Sequence, residues 1–558
     1  MSTYRAIYQI AAAITAFSIL ISEPCSSKEV SVHPFESFLQ DFIPHVSNKN
    51  TQLNKAIWIL ETTGNKDAAD LKADLDTEYR LLFNNPDTYK KLLEWDEDSS
   101  IQDPLLKRQL NVLIRNFKQN LILKELVEEI AQKEAALAQS YANFRPEIEG
   151  VAFSENSIRE ILKNDNNPTY RKKVWEASKQ IGGTLAPKIL ELVSLRNKAA
   201  KSLGYDNYFQ MQVDLQEVDG EWLLSIFDDL AQKTDSIYEK VIQETEETQA
   251  QRFEVARKEL GPWAWSEPFC QEDPMDAKEL DSLVVGVDIP EVVQSFYKKM
   301  GFDVGPTLQR SDMFEREGKN QHAFCMDIDR EGDVRTLNNV KPTIKWLETV
   351  LHELGHAIYD LGFDPKLPWL LRDIPHMIPT EAMALLAGRQ AYRYNSLSSL
   401  VGKSEEKDLL IQKAATRLHR GQLIFSRWVL VMTHFESSLY QNPHQDLNDL
   451  WWTLVEKYQK IARPQGREGE DDWAAKYHLG LAPVYYFSYL LGEMFASAIE
   501  ETLLKVTGSK EICSEKAGHF LQDKLFFPGN RMNWNELIHH VTGETLSPDA
   551  WVRQFAQN

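Results

Sequence analysis

One stretch in the middle of the chain decides how the rest is interpreted: residues 341–362 have the sequence KPTIKWLETVLHELGHAIYDLG. Apolar residues recur through it at helical spacing, and the early proline and the closing Gly362 are typical of the two ends of a helix. His352 and His356 lie four residues apart and therefore on one face, where both imidazoles can reach one ion. The stretch predicts a metal-binding helix.

The chemistry expected at this helix depends on two carboxylates. Glu353, within the His-Glu-x-x-His pattern, points slightly aside, toward the ligand position that the histidines leave open, as a general base requires. Glu381 begins a second predicted helix, residues 381–394, and is the candidate third ligand. A carboxylate at a helix N-terminus is common without a metal, but beside the metal helix this one completes the three protein ligands of a catalytic Zn²⁺ site. His376 is interpreted as an ordinary loop histidine rather than a ligand.

Composition limits the class of protein. The 558 residues carry a formal net charge of −21, which argues against nucleic acid as a partner, because such binding rests on basic patches. Apolar residues at helical spacing predominate, so the fold is predicted to be mostly α. A β-hairpin is predicted between residues 321 and 337. No long linker divides the chain, so residues 28–558 are expected to form a single catalytic domain.

The first 27 residues are typical of a secretory signal peptide, with Arg5 before an apolar stretch and polar residues after it. The protein is therefore expected to be secreted or periplasmic. An uncleaved membrane anchor and lipidation of Cys25 are the alternatives. The remaining cysteines, Cys270, Cys325 and Cys513, are odd in number and predict no disulfide framework.

The metal helix, its distance to Glu381, and the segments 321–327, 476–489 and 527–544 together resemble the angiotensin-converting-enzyme family and, more distantly, the thimet oligopeptidase family. The resemblance implies a two-lobed, mostly helical zinc-peptidase (gluzincin) fold. In this fold a deep channel receives short peptides, and a small β-hairpin lies near the metal. It also implies one Zn²⁺ per chain as the cofactor.

The resemblance further implies roles for six side chains outside the metal helix. Two would contact the bound peptide at a strand edge, two would stabilise the oxyanion of the reaction, and two would hold the free C-terminal carboxylate of the substrate. In this order they are His322 and Ala323, His478 and Tyr489, and Lys476 and Tyr486.

The resemblance at Lys476 and Tyr486, which would hold the substrate carboxylate, implies a dipeptidyl carboxypeptidase. Such an enzyme releases C-terminal dipeptides. Two alternatives remain open: an internal-cleaving oligopeptidase of the thimet type, and a catalytically inactive peptide-binding protein on the same scaffold. The chain also departs from the family pattern. Leu385 replaces an acidic residue that orients a metal-bound histidine, and Ser488 replaces an arginine that binds chloride.

Overall fold

The computed structural model of the protein describes residues 33–275 and 278–556. The proposed signal peptide, residues 1–27, and Cys25 lie outside the described residues. Within them, helices account for most of the chain, so the prediction of a mostly α fold is confirmed. None of the helices in the described part has the length and apolar character to cross a membrane.

The α-helices follow one another along the described part of the chain, with longer connections between α10 and α11 and between α12 and α13. In chain order they are α1 (Pro34–Thr63), α2 (Lys66–Leu82), α3 (Pro86–Asp96), α4 (Pro104–Asn120), α5 (Lys124–Asn143), α6 (Glu155–Asn164), α7 (Pro168–Lys179), α8 (Ile181–Ser202), α9 (Tyr208–Leu215), α10 (Gly220–Phe253), α11 (Ile289–Lys299), α12 (Gly305–Arg310), α13 (Ile344–Leu361), α14 (Met377–Gly388), α15 (Tyr394–Val401), α16 (Glu405–Gln441), α17 (Leu447–Leu454), α18 (Tyr477–Leu481), α19 (Phe487–Thr507), α20 (Glu515–Leu521), α21 (Trp534–Thr542) and α22 (Asp549–Phe555).

Two small antiparallel hairpins interrupt the helices. Strand β1 (Glu147–Ile148) pairs with β2 (Val151–Ala152), and β3 (Phe324–Asp327) pairs with β4 (Val334–Leu337). The second hairpin is the one predicted from the sequence. In the part of the chain that is described, β3 has β4 on one side and no strand on the other. We call the side of β3 that pairs with no strand its free edge.

The predicted metal helix is α13. Its C-terminal end agrees with the prediction, but it begins at Ile344, so Pro342 precedes the capping residue and does not lie in the first turn. The hydroxyl of Thr343 accepts the N–H of Trp346 and caps the first turn, and Gly362 follows the last residue. Its buried face is mostly apolar but also includes Glu353, whose side chain points inward. A buried carboxylate on an apolar face is costly unless neighbouring groups stabilise it.

The predicted bounds of the second helix, residues 381–394, are wrong. Helix α14 begins at Met377, ends at Gly388 and continues briefly as a 3₁₀ turn. Proline at position 379 lies in its first turn, where the missing N–H would have no helical partner in any case. Glu381 is therefore inside the helix, one turn further along than the sequence indicated.

The buried apolar side chains form one large cluster and smaller ones. The large cluster joins helices α13, α14, α16 and α19. A smaller cluster unites the N-terminal helices through side chains such as Phe35, Leu92 and Phe117, and it includes Trp369 and Leu370 from the segment between α13 and α14. The N-terminal helices thus pack on one another and against a segment that follows the metal helix.

Two glycines allow α13, α14 and α19 to pack closely. A Cβ at Gly355 would lie 2.8 Å from the Cα of Ala384 and 3.2 Å from the carbonyl oxygen of Met383. A Cβ at Gly492 would lie 3.1 Å from the Cβ of Glu381. Glycine at these positions therefore lets α13 contact the backbone of α14, and lets α19 reach the third candidate ligand.

Replacing Gly355 by alanine is expected to destabilise the protein by about 1–2 kcal/mol. Overpacking against backbone costs about 1–3 kcal/mol, and the gain in helix propensity of about 1 kcal/mol offsets only part of it. The midpoint of urea unfolding, followed by far-UV circular dichroism on metal-free protein, measures the change. Gly421→Ala in α16 is the control, because its Cβ would meet no atom within 4 Å and it should stabilise the helix. Equal shifts for the two variants would contradict the close-packing argument.

Candidate metal centre and active site

The two histidines of α13 converge as predicted. Their Nε2 atoms are 3.2 Å apart, and the ring planes are nearly perpendicular, at 82°. The pKa of His352 is lowered to about 4, mainly by burial and secondarily by the positive charge of Lys345. Burial also holds the pKa of His356 well below its usual value, with His352 as a second cause. Both rings are therefore neutral at pH 7, the state in which imidazole binds metals.

Glu381 projects from α14 to the same point. Its Oε2 lies 3.8 Å from Nε2 of His352, and one ligand atom from each of the three residues falls within 4.8 Å of the others. The carboxylate is 5% exposed, and its Oε2 has no hydrogen-bond partner. Burial raises the pKa of Glu381 to about 7, and the nearby Glu493 adds to the rise. A buried, unpartnered carboxylate oxygen is costly unless a cation compensates it.

The three side chains fit Zn²⁺. Nitrogen and oxygen ligands bind this ion at about 2.0–2.2 Å, so two ligands of a tetrahedral site lie about 3.3 Å apart. The observed separations of 3.2 Å and 3.8 Å are close to that value. Two neutral imidazoles and one carboxylate also match the donor set of catalytic rather than structural zinc sites. In the described residues this is the one group of His, Cys, Asp or Glu with metal-binding spacing.

One residue that supports the ligands was not predicted from the sequence. The hydroxyl of Thr380 lies 2.7 Å from Nδ1 of His356, so it fixes the ring orientation while Nε2 faces the other ligands. Leu385, which stands where the resemblance has an acidic residue, supplies no such contact because its side chain is apolar. The one sequence feature that could have indicated a supporting role for Thr380 is its position next to Glu381.

Glu353 is buried next to the three ligands. It is 7% exposed, and burial raises its pKa to about 8. Repulsion by Glu381 contributes to the rise, and Lys345 opposes it. A carboxyl group with a pKa near the working pH can both accept and return a proton, which suits a general acid–base role.

His478, Tyr486 and Tyr489 belong to one segment that runs from α18 into α19. The ring centroids of His478 and Tyr486 are 4.7 Å apart, and those of Tyr486 and Tyr489 are 5.8 Å apart. Nδ1 of His478 is buried without a hydrogen-bond partner. Burial lowers the pKa of His478 to about 4, with Lys476 as a second cause. The neutral ring therefore has one N–H to donate.

The phenol of Tyr489 lies within electrostatic range of both carboxyl groups of the site, those of Glu381 and Glu353. Burial raises its pKa, and Glu381 and Glu353 both contribute. The ring of Tyr485 lies 5.2 Å from that of Tyr489. The phenol of Tyr489 stays protonated at pH 7 and remains a hydrogen-bond donor.

Lys476 is a nearly buried ammonium, 6% exposed. Its Nζ donates to Oε1 of Gln271 over 3.4 Å and lies 5.5 Å from the ring centroid of Tyr486. Burial lowers its pKa to about 8, while Glu267 opposes the shift. The structure thus brings Lys476 and Tyr486 together and adds Gln271, which sequence reasoning missed.

His322 and Ala323 directly precede strand β3. The backbone N–H of His322 donates to Oδ1 of Asn320 over 2.9 Å, and its side chain is exposed. Ala323 is half-buried. Both residues lie in the bend that leads into β3, outside the strand itself.

His376 takes no part in the cluster of candidate ligands. It caps α14, with Nδ1 accepting the N–H of Ile378 over 3.0 Å, and its Nε2 lies 3.2 Å from Oε1 of Gln216. The interpretation that it is not a ligand agrees with this position. Its role as a helix cap was not anticipated.

A large cavity opens beside the candidate centre. It has a volume of about 1330 Å³, and its wall includes Lys345 and Glu348 from α13, Leu385 from α14, and Tyr489 and Glu493 from α19. Gln271, the partner of Lys476, also lines it. The cavity thus extends from the neighbourhood of the metal ligands to that of the buried ammonium, and it is large enough to admit several residues of an extended chain.

The chain is similar to known proteins over most of its length. The Peptidase M2 family, described as angiotensin-converting enzyme, matches residues 31–243 and 266–556. The angiotensin-converting enzyme-related protein of Drosophila melanogaster is 23% identical over 254 residues, which cover 42% of this chain and 40% of the relative. The angiotensin-converting enzyme of Oryctolagus cuniculus is 25% identical over 314 residues, 52% of this chain and 23% of the relative. That of Haematobia irritans exigua is 24% identical over 493 residues, 77% of each chain.

The chain thus spans less than half the length of the first two relatives, whereas the family match extends over most of the chain itself. The matched region includes every candidate ligand and the whole segment from α18 into α19. On this match the chain belongs to the angiotensin-converting-enzyme family of metallopeptidases.

Proposed function

We propose that the protein is a zinc metallopeptidase that hydrolyses short oligopeptides and releases C-terminal dipeptides. The observation that carries the proposal is the convergence of His352, His356 and Glu381, with an unpartnered Glu381 oxygen, beside the buried Glu353. A ligand cluster without a nearby base would fit a binding protein equally well. The base beside it favours hydrolysis.

His352, His356 and Glu381 would hold the ion. When bound, Zn²⁺ supplies a Lewis acid that acidifies water and polarises a carbonyl group. Glu353 takes a proton from the attacking water and passes it to the leaving amine. His478 and Tyr489 donate hydrogen bonds to the carbonyl oxygen as it becomes negative.

The substrate is proposed to lie along the free edge of β3, with His322 and Ala323 in contact with its backbone. Lys476, Tyr486 and Gln271 would hold its terminal carboxylate. The short distance from Lys476 to Gln271 and the burial of the ammonium support this role, because a buried cation gains most from a charged partner. A carboxylate fixed there limits the product to a short C-terminal fragment.

We further propose that residues 28–558 form one catalytic domain in two lobes around the channel. The single large apolar cluster and the separate cluster of the N-terminal helices support this arrangement. Secretion or export to the periplasm, with residues 1–27 as the signal peptide, rests on the sequence pattern.

The experiment compares hydrolysis of a peptide with a blocked N-terminus in two forms, one with a free C-terminus and one amidated. Loss of one charge-assisted hydrogen bond, worth about 1.5–3 kcal/mol, should lower kcat/KM for the amide by about 10–100-fold. Mass spectrometry of the products should show a C-terminal dipeptide. In Lys476→Met the difference between the two peptides should shrink.

Two other results would change the proposal. Equal rates for the two peptides, with internal cleavage, would indicate an oligopeptidase of the thimet type. A zinc-loaded wild type that binds peptides but hydrolyses none would indicate a peptide-binding protein instead.

A further inference from the structure

Two buried polar side chains from other helices, an arginine and a glutamate, hold the segment that carries Lys476, His478, Tyr486 and Tyr489. The contacts fall on its backbone at Gly480 and Val484, between His478 and the tyrosines. We call Arg196, Glu436 and these two backbone positions the buried clamp. It contains none of the groups that are proposed to touch the substrate.

The contact at Val484 stabilises an unusual backbone conformation. Val484 has φ = +56°, a left-handed conformation that a β-branched residue rarely adopts. Such conformations persist only where their surroundings hold them. Here the N–H of Val484 donates to Oε1 of Glu436 over 2.7 Å, and both residues are nearly buried. The carboxylate of Glu436 is thus the partner that holds the strained residue.

The contact at Gly480 comes from the guanidinium of Arg196. Nη2 of Arg196, on α8, donates to the carbonyl oxygen of Gly480 over 2.6 Å and to Oε1 of Glu134 over 2.7 Å. Its Nη1 donates to the hydroxyl of Tyr440 over 3.2 Å. Arg196 is 1% exposed, so its guanidinium is fixed by several partners at once.

The two contacts determine where the proposed oxyanion donors point. The N–H of Ala482 donates to the carbonyl of His478, so His478 belongs to the same short turn as Gly480. Two residues separate Val484 from the start of α19 at Phe487, where the N–H of Tyr489 donates to the carbonyl of Tyr486. A change at Val484 would therefore rotate the start of α19 relative to His478.

We propose that Glu436 and Arg196 are positioning residues, which hold residues 480–484 so that His478 and Tyr489 converge on the reacting carbonyl. The proposal rests on the oxyanion role of these two side chains. Neither Glu436 nor Arg196 needs to contact the substrate, because both act through the backbone. Their loss should lower kcat rather than weaken the binding of the substrate ground state.

The test uses Glu436→Met, which keeps the length of the side chain but removes the acceptor. We expect kcat to fall by about 10²-fold, the effect of a misplacement of about 1 Å, while KM stays within about twofold. Glu436→Gln retains an acceptor oxygen and should recover most of the loss. Arg196→Lys keeps the positive charge but removes the branched guanidinium that donates to several partners at once. It should lower kcat with the same small change in KM. Glu406→Gln, exposed on the same helix, is the control.

Hydrogen–deuterium exchange on the metal-free protein gives a readout independent of activity. Peptides that cover residues 480–489 should exchange faster in Glu436→Met than in wild type, while peptides from α13 should not change. Unchanged exchange at 480–489 in a folded Glu436→Met protein would overturn the clamp. So would a wild-type kcat in that variant under conditions where Tyr489→Phe is impaired. An inactive wild type, or a fully active Tyr489→Phe, would instead count against the proposed function.

Discussion

Replacing Glu353 by glutamine is expected to lower kcat by about 10³–10⁴-fold, the upper part of the range for a general acid–base group. The amide keeps the shape of the side chain but cannot accept a proton from water. Because Glu353 is not one of the three converging ligands, the variant should bind one equivalent of Zn²⁺ as tightly as wild type. Steady-state kinetics on the blocked peptide and metal analysis of the same samples measure both effects.

Measuring kcat and zinc content on the same samples distinguishes loss of the base from loss of the metal. Loss of activity together with loss of zinc would assign Glu353 to the metal site rather than to proton transfer. Glu291→Gln, an exposed residue in the first turn of α11, is a control that should leave both values unchanged. Activity above about 10% of wild type in Glu353→Gln would contradict the role of Glu353 as the base.

Local sequence patterns predicted the metal helix well because its determinants are local. The apolar stripe, the cap at Thr343 and the stop at Gly362 all lie within one stretch of chain, and the spacing of His352 and His356 fixes their common face. The hairpin around strands β3 and β4 was predictable for the same reason. In both cases neighbouring residues determine the structure.

The start of α14 could not be predicted in this way. Proline at position 379 suggested a boundary, but a proline in the first turn costs the helix no hydrogen bond. The cap is the ring of His376, a less usual N-cap than Ser, Thr, Asp or Asn. Sequence patterns that search for ordinary caps therefore placed the start too late.

Contacts between residues that are far apart in the sequence could not be predicted either. Gln271 meets Lys476 across 205 positions of sequence, and Glu436 meets Val484 across 48. No local periodicity reports such contacts, which depend on how the helices pack. The left-handed conformation of Val484 could not be predicted from the sequence, because valine does not favour it and the tertiary contact holds it there.

Replacing Tyr489 by phenylalanine is expected to lower kcat by about 10²–10³-fold with little change in KM. The phenol is proposed to donate a hydrogen bond that forms only as the carbonyl oxygen becomes negative, and loss of one such donor costs about 3–4 kcal/mol. The ring itself remains, so its packing against Tyr485 and Tyr486 should persist. Steady-state kinetics with the free-C-terminus peptide measures the effect.

Tyr485→Phe is the matched control, because it removes the same hydroxyl from a neighbouring tyrosine of similar burial. Tyr485 lies just before α19, and its ring centroid is 5.2 Å from that of Tyr489, so a general disturbance of this segment would affect both variants alike. If only Tyr489→Phe loses kcat, the hydroxyl of Tyr489 is the donor. If Tyr485→Phe loses it instead, the hydroxyl of Tyr485 is the donor, and the assignment of Tyr489 is wrong.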